Sequence, residues 1–367
     1  MLLPRVKRMH EPFRLDDGTV RIGGEIYGLA GEIADPLGGA WAALTLMDGT
    51  RTPEQIAATV CGTVPGVSAA AAQELIGALI ASGHVEDAAA GMPDELSERE
   101  RERYGRGQAF FHFVDLTPRP HSWEAQVRLK RARVVVLGLG GTGSHAAWAL
   151  AATGVGRIHC VDADVVETSN LNRQVLYDEG DVGRAKVDVA VARLRRVNSD
   201  IEVTGERRRV DGVAALRSLL DGCDVLALCA DEPRGHGVGD GIRIWANRVC
   251  AGSGVPWVGG GYDGPLVTVG TFERGRGACY ECLIDGETRR RGRDLPVDLG
   301  GPGVVAVSAG VSGLLVAHAV TSLITGVPRP ASGSFVGINL IAPDHHVLVR
   351  HSPRPGCPVC GPGGIGS

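Results

Sequence analysis

The sequence predicts an α/β protein: a doubly wound, mostly parallel sheet, preceded by a winged helix-turn-helix module. Three observations predict it. From Arg131 onward, strand-like apolar runs alternate with helical patterns, the alternation that builds a parallel sheet with helices on both faces. The β-branched run Val134–Val136 enters a glycine-rich turn, Gly138 to Gly143, that opens a helix. The first 90 residues hold three short helical patterns flanked by strand patterns, with caps of their own.

A length of 367 residues accommodates two domains, and 44% hydrophobic with 22% charged residues is an ordinary soluble composition. The predicted layout is a module over 1–92, a linker and dimer arm over 93–130, and the large domain over 131–367. A net charge of -4 gives no overall basic field for nucleic acid. The N-terminal "MLLPRVKRMHEPF" lacks the apolar core of a signal peptide. Two uncharged stretches, Val134–Gly156 and Gly303–Gly326, imitate membrane spans. The first is interrupted by the motif glycines. The second carries Gly, Ser and His318 and reads as a buried helix, so the expected location is cytoplasmic, with no membrane.

In the N-terminal module, "GTVRIGGEIYGLAG" alternates like a strand pair, and "GGAWAALTLMDG" reads as a helix ending at Gly49. Thr52, Pro53 and Gln55 are a helix start: cap, first turn and capping box. A third helix follows from Ser68, stopped by Gly83, and then a short strand. DNA binding is the default use of such a shape, yet Phe13–Ala90 holds three basic residues against ten acidic ones. Phosphate neutralisation needs several Lys or Arg, so nucleic acid is not the expected partner. The stretches "GGEIYGLAG", "LMDGTRTPEQIA" and "LIGALIASGHVED" resemble PqqD-like modules, the RiPP recognition elements. That resemblance implies a precursor's leader peptide adding a strand to the sheet edge and packing on the third helix. The connector after it, with "ELSERERERYGRGQ", is expected to be a solvated helix running into an arm without a core of its own.

The large domain's strands are expected at "RVVVLGL", "RIHCVDAD", "IEVTGE", "DVLALCAD" and "PWVGGG". Helices are expected over Ser144–Thr153, Arg184–Val197 and Gly241–Cys250. A glycine turn between strand and helix N-terminus binds phosphates, but alone it does not say whose. Asp162, 24 residues beyond Gly138, stands where a ribose hydroxyl is held, which suits NAD and ATP equally. The string Asn170, Asn172, Arg173, Gln174 and Lys186 discriminates, because a triphosphate needs several groups to offset charge developing on phosphate oxygens.

With "GLGGTG", "VDAD…SNLNRQ…VGRAK" and two C-x-x-C pairs, residues 100–362 resemble the ThiF/MoeB/MccB adenylating family, related to ubiquitin-activating enzymes. The resemblance implies a Rossmann-like adenylation domain, a homodimer, ATP and Mg²⁺. Gly138, Gly140, Gly141 and Gly143 would hold phosphates, Asp162 and Asp164 would join the cofactor site, and Asn170, Arg173 and Lys186 would contact phosphate. Asp231 would place magnesium, and Arg106 would reach the partner subunit's active site. Arg243, Asn247 and Cys250 fit the helix after that acid, displaced by the insertion "EPRGHGVGDG". The implied chemistry is carboxylate attack on the α-phosphorus of ATP, giving an acyl-adenylate and pyrophosphate.

Nine cysteines are an odd number for a disulfide framework. Cys279 and Cys282, with Cys357 and Cys360, form two pairs that can close a tetrahedral zinc site; a redox pair normally opens a helix near a βαβ start. Sulfur-transfer and ubiquitin-like branches of the family often carry a cysteine in the crossover after the first pair, and this chain has none there. The branch typified by MccB amidates peptides, lacks that cysteine too and carries an N-terminal peptide clamp. The expected function is therefore adenylation of a carboxylate on a ribosomally made precursor peptide, followed by amine capture without an enzyme thioester. The alternatives are a sulfur-carrier adenylyltransferase and a non-catalytic leader-binding partner of another enzyme. The basic run 289–293 suits either an acidic peptide tail or a solvated loop.

Overall fold

The computed structural model describes residues 1–231, 241–291 and 303–365. The chain forms two compact units, Met1–Val127 and Arg128–Ser367. The insertion at 232–240 and the basic run beyond residue 291 lie outside the described residues.

In the first unit, β2 (Phe13–Arg14), β3 (Val20–Ile22) and β4 (Gly31–Ile33) make a small antiparallel sheet. Three helices follow: α1 (Gly39–Leu46), α2 (Pro53–Thr63) and α3 (Ala69–Ala81). The expected capping box at α2 is present. Thr52 Oγ1 accepts from the Gln55 N–H at 3.3 Å, and Gln55 Oε1 accepts from the Thr52 N–H at 2.9 Å. Ile56, Val60, Ile76 and Leu79 meet Val20, Ile22 and Leu44 in the core. Helix α3 gives way at Gly83, whose φ is +78° and whose missing Cβ leaves room for the Leu116 carbonyl.

The strand after Gly83 does not close a wing on that sheet. β5 (Val85–Asp87) pairs instead with β1 (Pro4–Val6), in a separate two-stranded ribbon with Val6 opposite Val85. The connector also departs from expectation. It forms α4 (Glu98–Val114), capped reciprocally by Ser97 and Glu100, and it has a core of its own in which Leu96 and Tyr104 meet Trp123 and Val127. Lys7, 6% exposed, donates to the carbonyls of Asp115 (2.6 Å) and His112 (3.1 Å), closing the end of α4 onto β1. The Glu/Arg repeat hid the apolar positions 104 and 111 that bury this helix.

α5 (Glu124–Arg131) leads along the chain into the second unit, which has one eight-stranded sheet. Its parallel half holds β6 (Arg133–Leu137), β7 (Arg157–Val161), β8 (Glu202–Glu206), β9 (Val225–Leu228) and β10 (Trp257–Asp263), in the order β8-β7-β6-β9-β10. Val134, Val135 and Val136 are fully buried, as expected of a parallel strand covered on both faces. β11 (Leu266–Phe272), β12 (Ser334–Asn339) and β13 (His346–Arg350) then continue the sheet antiparallel from β10. The sheet is thus mostly parallel, with an antiparallel wing at one side.

The helices of this unit are α6 (Gly141–Thr153), α7 (Lys186–Val197), α8 (Val213–Leu219), α9 (Ile242–Ser253), α10 (Tyr280–Arg291) and α11 (Ala306–Thr325). The apolar α11 is a core helix packed on α6, more than half buried. Thr142 and Ser312 hydroxyls meet at 2.9 Å between these helices, and Gly313 lacks the Cβ that would strike the Thr142 carbonyl.

Candidate active site

The strand order reverses at β6, whose neighbours are β7 and β9. A cleft of about 640 Å³ opens there, at the carboxyl ends of these strands, the expected ligand position in such a sheet. The volume suits a nucleotide-sized molecule.

The floor of the cleft is the glycine turn. Gly138 has φ +91°, and a Cβ there would stand 2.5 Å from the Ala230 nitrogen. A Cβ on Gly143 would overlap the Gly138 carbonyl oxygen, so the turn can tighten into α6 only with glycine at both positions. Gly140 caps α6 and Gly141 is its first residue. The N–H groups of that first turn have no intrahelical partner, and Gly140 and Gly141 line the cleft at the positive end of the helix dipole.

Asp162, at the end of β7, is 8% exposed. One oxygen accepts from the Leu139 N–H at 2.6 Å and the other from the Asp164 N–H at 2.8 Å. It therefore pins the glycine turn as well as facing the cleft. Asp164 is exposed, with Lys186 Nζ at 3.4 Å and Arg209 Nη2 at 3.9 Å. Lys186 is the first residue of α7 and only 6% exposed. Arg173 donates to the Ser169 carbonyl (2.7 Å) and Asn172 Oδ1 (2.9 Å). Asn170, 6% exposed, accepts from the Glu167 N–H at 3.1 Å, which holds the turn that carries Arg173. Asp231 follows β9 with an exposed side chain. All of these line the one cleft.

Arg106 is exposed on α4 of the other unit and is not among the lining residues. Asn247 lines no part of the cleft either. It accepts from the Tyr280 N–H at 3.0 Å and donates to Glu281 at 3.2 Å, joining α9 to α10.

Sequence reasoning missed Tyr262, Trp245, Arg208 and Arg209, which also line the cleft. Gln174, already in the string of polar residues, is 4% exposed and presents a buried Oε1 without a partner among the described residues. The Tyr262 hydroxyl sits over Gly141, where a Cβ would be 2.7 Å away, in a cleft that Arg173 also lines. Burial, with the negative charge of Asp231, raises its pKa and keeps the phenol protonated.

The cysteines divide as expected. Cys279 and Cys282 flank the start of α10 and come together with Cys357 and Cys360, all four sulfurs lying within 4.8 Å of one another. Cys279 to Cys357 is 3.7 Å and Cys282 to Cys360 is 3.6 Å. Four thiolates bound tetrahedrally to one zinc at about 2.3 Å stand about 3.8 Å apart, so the donor set fits that ion. Of the other five, Cys160, Cys223, Cys229 and Cys250 are buried and Cys61 is half-buried. Burial pushes Cys160 and Cys229 up to about 12 and Cys223 up to about 11, and it raises Cys250 as well.

A backbone-amide turn, a helix N-terminus, four cations and several carboxylates in one cleft can bind an anionic nucleotide and its magnesium and stabilise charge on its phosphates. Residues 116–359 match the ThiF family. The chain is 34% identical over 270 residues to the molybdopterin-synthase adenylyltransferase of Salmonella typhimurium, covering 73% of this chain and 99% of that protein. It is also 34% identical over 269 residues to the bovine adenylyltransferase and sulfurtransferase MOCS3, covering 72% of this chain but only 54% of that longer protein. In fold it is similar to E. coli MccB solved with AMPCPP and MccA, with a TM-score of 0.72 and 22% identity, covering 98% of this chain and 99% of that one. The nucleotide cleft thus sits on the scaffold of a known enzyme class: the chain belongs to the ThiF family and is an ATP-dependent adenylyltransferase.

Proposed function

We propose that the protein adenylates a carboxylate on a ribosomally made precursor peptide and passes the acyl-adenylate to an amine without an enzyme thioester. The observation that carries the peptide reading is coverage. The likeness to MccB, which was solved with MccA, takes in 98% of the chain, N-terminal unit included. The likeness to the Salmonella enzyme covers 73%. The N-terminal unit would be the peptide-recognition module, PqqD-like and related to a winged helix, with its boundary near residue 92. A leader peptide would add a strand to one of its short sheet edges.

In the cleft, the glycine turn and the start of α6 would hold the phosphates, and Asp162 the ribose. Asp231 would place Mg²⁺, which supplies charge neutralisation across phosphate oxygens when bound. Arg173 and Lys186 would offset the charge that grows on the leaving pyrophosphate, joined in a homodimer by Arg106 of the partner subunit. The attacking carboxylate is ionised at neutral pH, so no protein base is needed. Zinc would sit in the four-cysteine site as a structural ion, and the enzyme would work in the cytoplasm.

With candidate precursor peptides the expected products are AMP and pyrophosphate, read by ATP–pyrophosphate exchange; formation of ADP would sink the proposal. A folded carrier ending in Gly-Gly is the competing substrate. Exchange with that carrier and none with peptides would favour sulfur-carrier adenylation instead. The buried thiols give a further expectation. A nucleophilic thiol needs exposure and a lowered pKa, so replacing Cys61, Cys160, Cys223, Cys229 or Cys250 singly by Ala should leave product formation intact in every variant that folds. A folded variant that exchanges pyrophosphate yet forms no product, with a thiol-labile enzyme adduct in the wild type, would overturn the direct-amine step.

A further inference from the structure

We propose that Tyr262 is a catalytic residue of this cleft, its phenol donating a hydrogen bond to a non-bridging oxygen of the α-phosphate of ATP as the acyl-adenylate forms. The assignment rests on the ATP-dependent adenylyl transfer described above and names one more group that performs it.

Tyr262 comes from β10, on the far side of β9 from the glycine turn, yet its side chain lines the same cleft. The hydroxyl leads. A Cβ on Gly141 would stand 2.7 Å from the phenolic oxygen but 3.5 Å from the nearest ring carbon, so the polar end is aimed at the first residue of α6. Arg173 and Asp231 line the same cleft as Tyr262, and the charges of both act on the phenol. Burial and the Asp231 carboxylate keep the proton on the oxygen. A protonated donor is thus held over the turn, in a cleft that also presents the Arg173 guanidinium and the Asp231 carboxylate.

Position selects the α-phosphate. Asp162, where the ribose is expected, is itself hydrogen-bonded to Leu139 within the turn, so the first phosphate beyond the ribose lies over Gly138–Gly141. The carboxylate oxygen forms a bond to the α-phosphorus, the bond from that phosphorus to the bridging oxygen breaks, and pyrophosphate leaves with the electron pair. Tyr262 keeps its proton throughout. Its hydrogen bond strengthens as negative charge gathers on the non-bridging oxygens of the five-coordinate phosphorus.

The test uses the full chain with ATP and Mg²⁺ as probe. In phosphorus NMR, Tyr262→Phe should move the α-phosphorus resonance of bound ATP and leave the β and γ resonances in place, with affinity for AMPCPP within threefold of wild type. With a peptide that supports exchange, the exchange rate should fall by about 10²-fold, the scale for losing one preorganised donor. If Tyr262 merely positions Arg173, the variant will instead bind AMPCPP tenfold or more weakly and move all three resonances. That result, or an unmoved α resonance, overturns the assignment. Should no precursor peptide support exchange in the wild type, the peptide reading fails while the NMR measurement still decides the role of Tyr262.

Discussion

Replacing Asp231 by Ala is expected to lower ATP–pyrophosphate exchange by about 10²-fold or more, with the fold intact. The side chain stands exposed in the cleft after β9, so its loss opens no cavity in the core. What disappears is the carboxylate expected to fix magnesium, and with it the charge that lets phosphate oxygens approach the attacking carboxylate. Its electrostatic reach is visible in two neighbours, because its negative charge adds to burial in raising both Cys229 and Tyr262. Asp231→Glu should recover part of the rate, since the carboxylate is kept and only its placement changes. Exchange by Asp231→Ala within tenfold of wild type, at magnesium concentrations that saturate the wild type, would remove Asp231 from the reaction.

The parallel half of the sheet and most of the cleft were legible because their signals are local. Gly143 answers a steric demand set within a few residues, Gly138 carries the positive φ of its own turn, and Thr52 with Gln55 satisfies its own helix start. Lys186 stands in the contiguous run "VGRAK" at the start of its own helix, and its backbone N–H is bound at 3.0 Å to the Asp164 carbonyl, 22 residues back. Legibility fails where the partner lies far along the chain. Tyr262 meets Gly141 only because β10 and β6 flank the same central strand, and nothing in "VGGGYDG" announces that. Strands β12 and β13 carry partly exposed side chains at a two-sided surface, so their alternation is faint. The pairing of β1 with β5 joins residues 4–6 to 85–87, a contact no local pattern encodes, and it is why the expected wing was misplaced. The connector failed for a different reason: a dense Glu/Arg repeat reads as solvated even when every second turn buries an aromatic ring.

Cys357→Ser is expected to cost the protein its zinc and a large part of its thermal stability, while leaving the cleft's chemistry in place. Metal analysis of wild-type protein purified without chelator should find about one zinc per chain, and the variant close to none. The four sulfurs come from two segments, the start of α10 and the tail after β13, which are joined besides by His351 with Glu287 at 2.8 Å and Arg354 with Asp285 at 3.8 Å. Cys279, Cys282 and Cys357 belong to the same buried cluster as Trp257, Phe272, Tyr280 and Val359. Trp257 and Phe272 stack there at 4.4 Å between ring centroids. Without the ion, three thiols remain, two of them buried, with no cation to hold them as thiolates, and the tail can peel from these rings. Zinc binds small finger peptides by roughly 10–16 kcal/mol. Even a loss of about 3 kcal/mol lowers the melting midpoint by roughly 6–12 °C in a unit of this size. Below the lowered transition, pyrophosphate exchange should persist, because none of the four cysteines lines the nucleotide cleft. Retention of full zinc and an unchanged midpoint in Cys357→Ser would show that the tetrahedron of sulfurs is not a metal site.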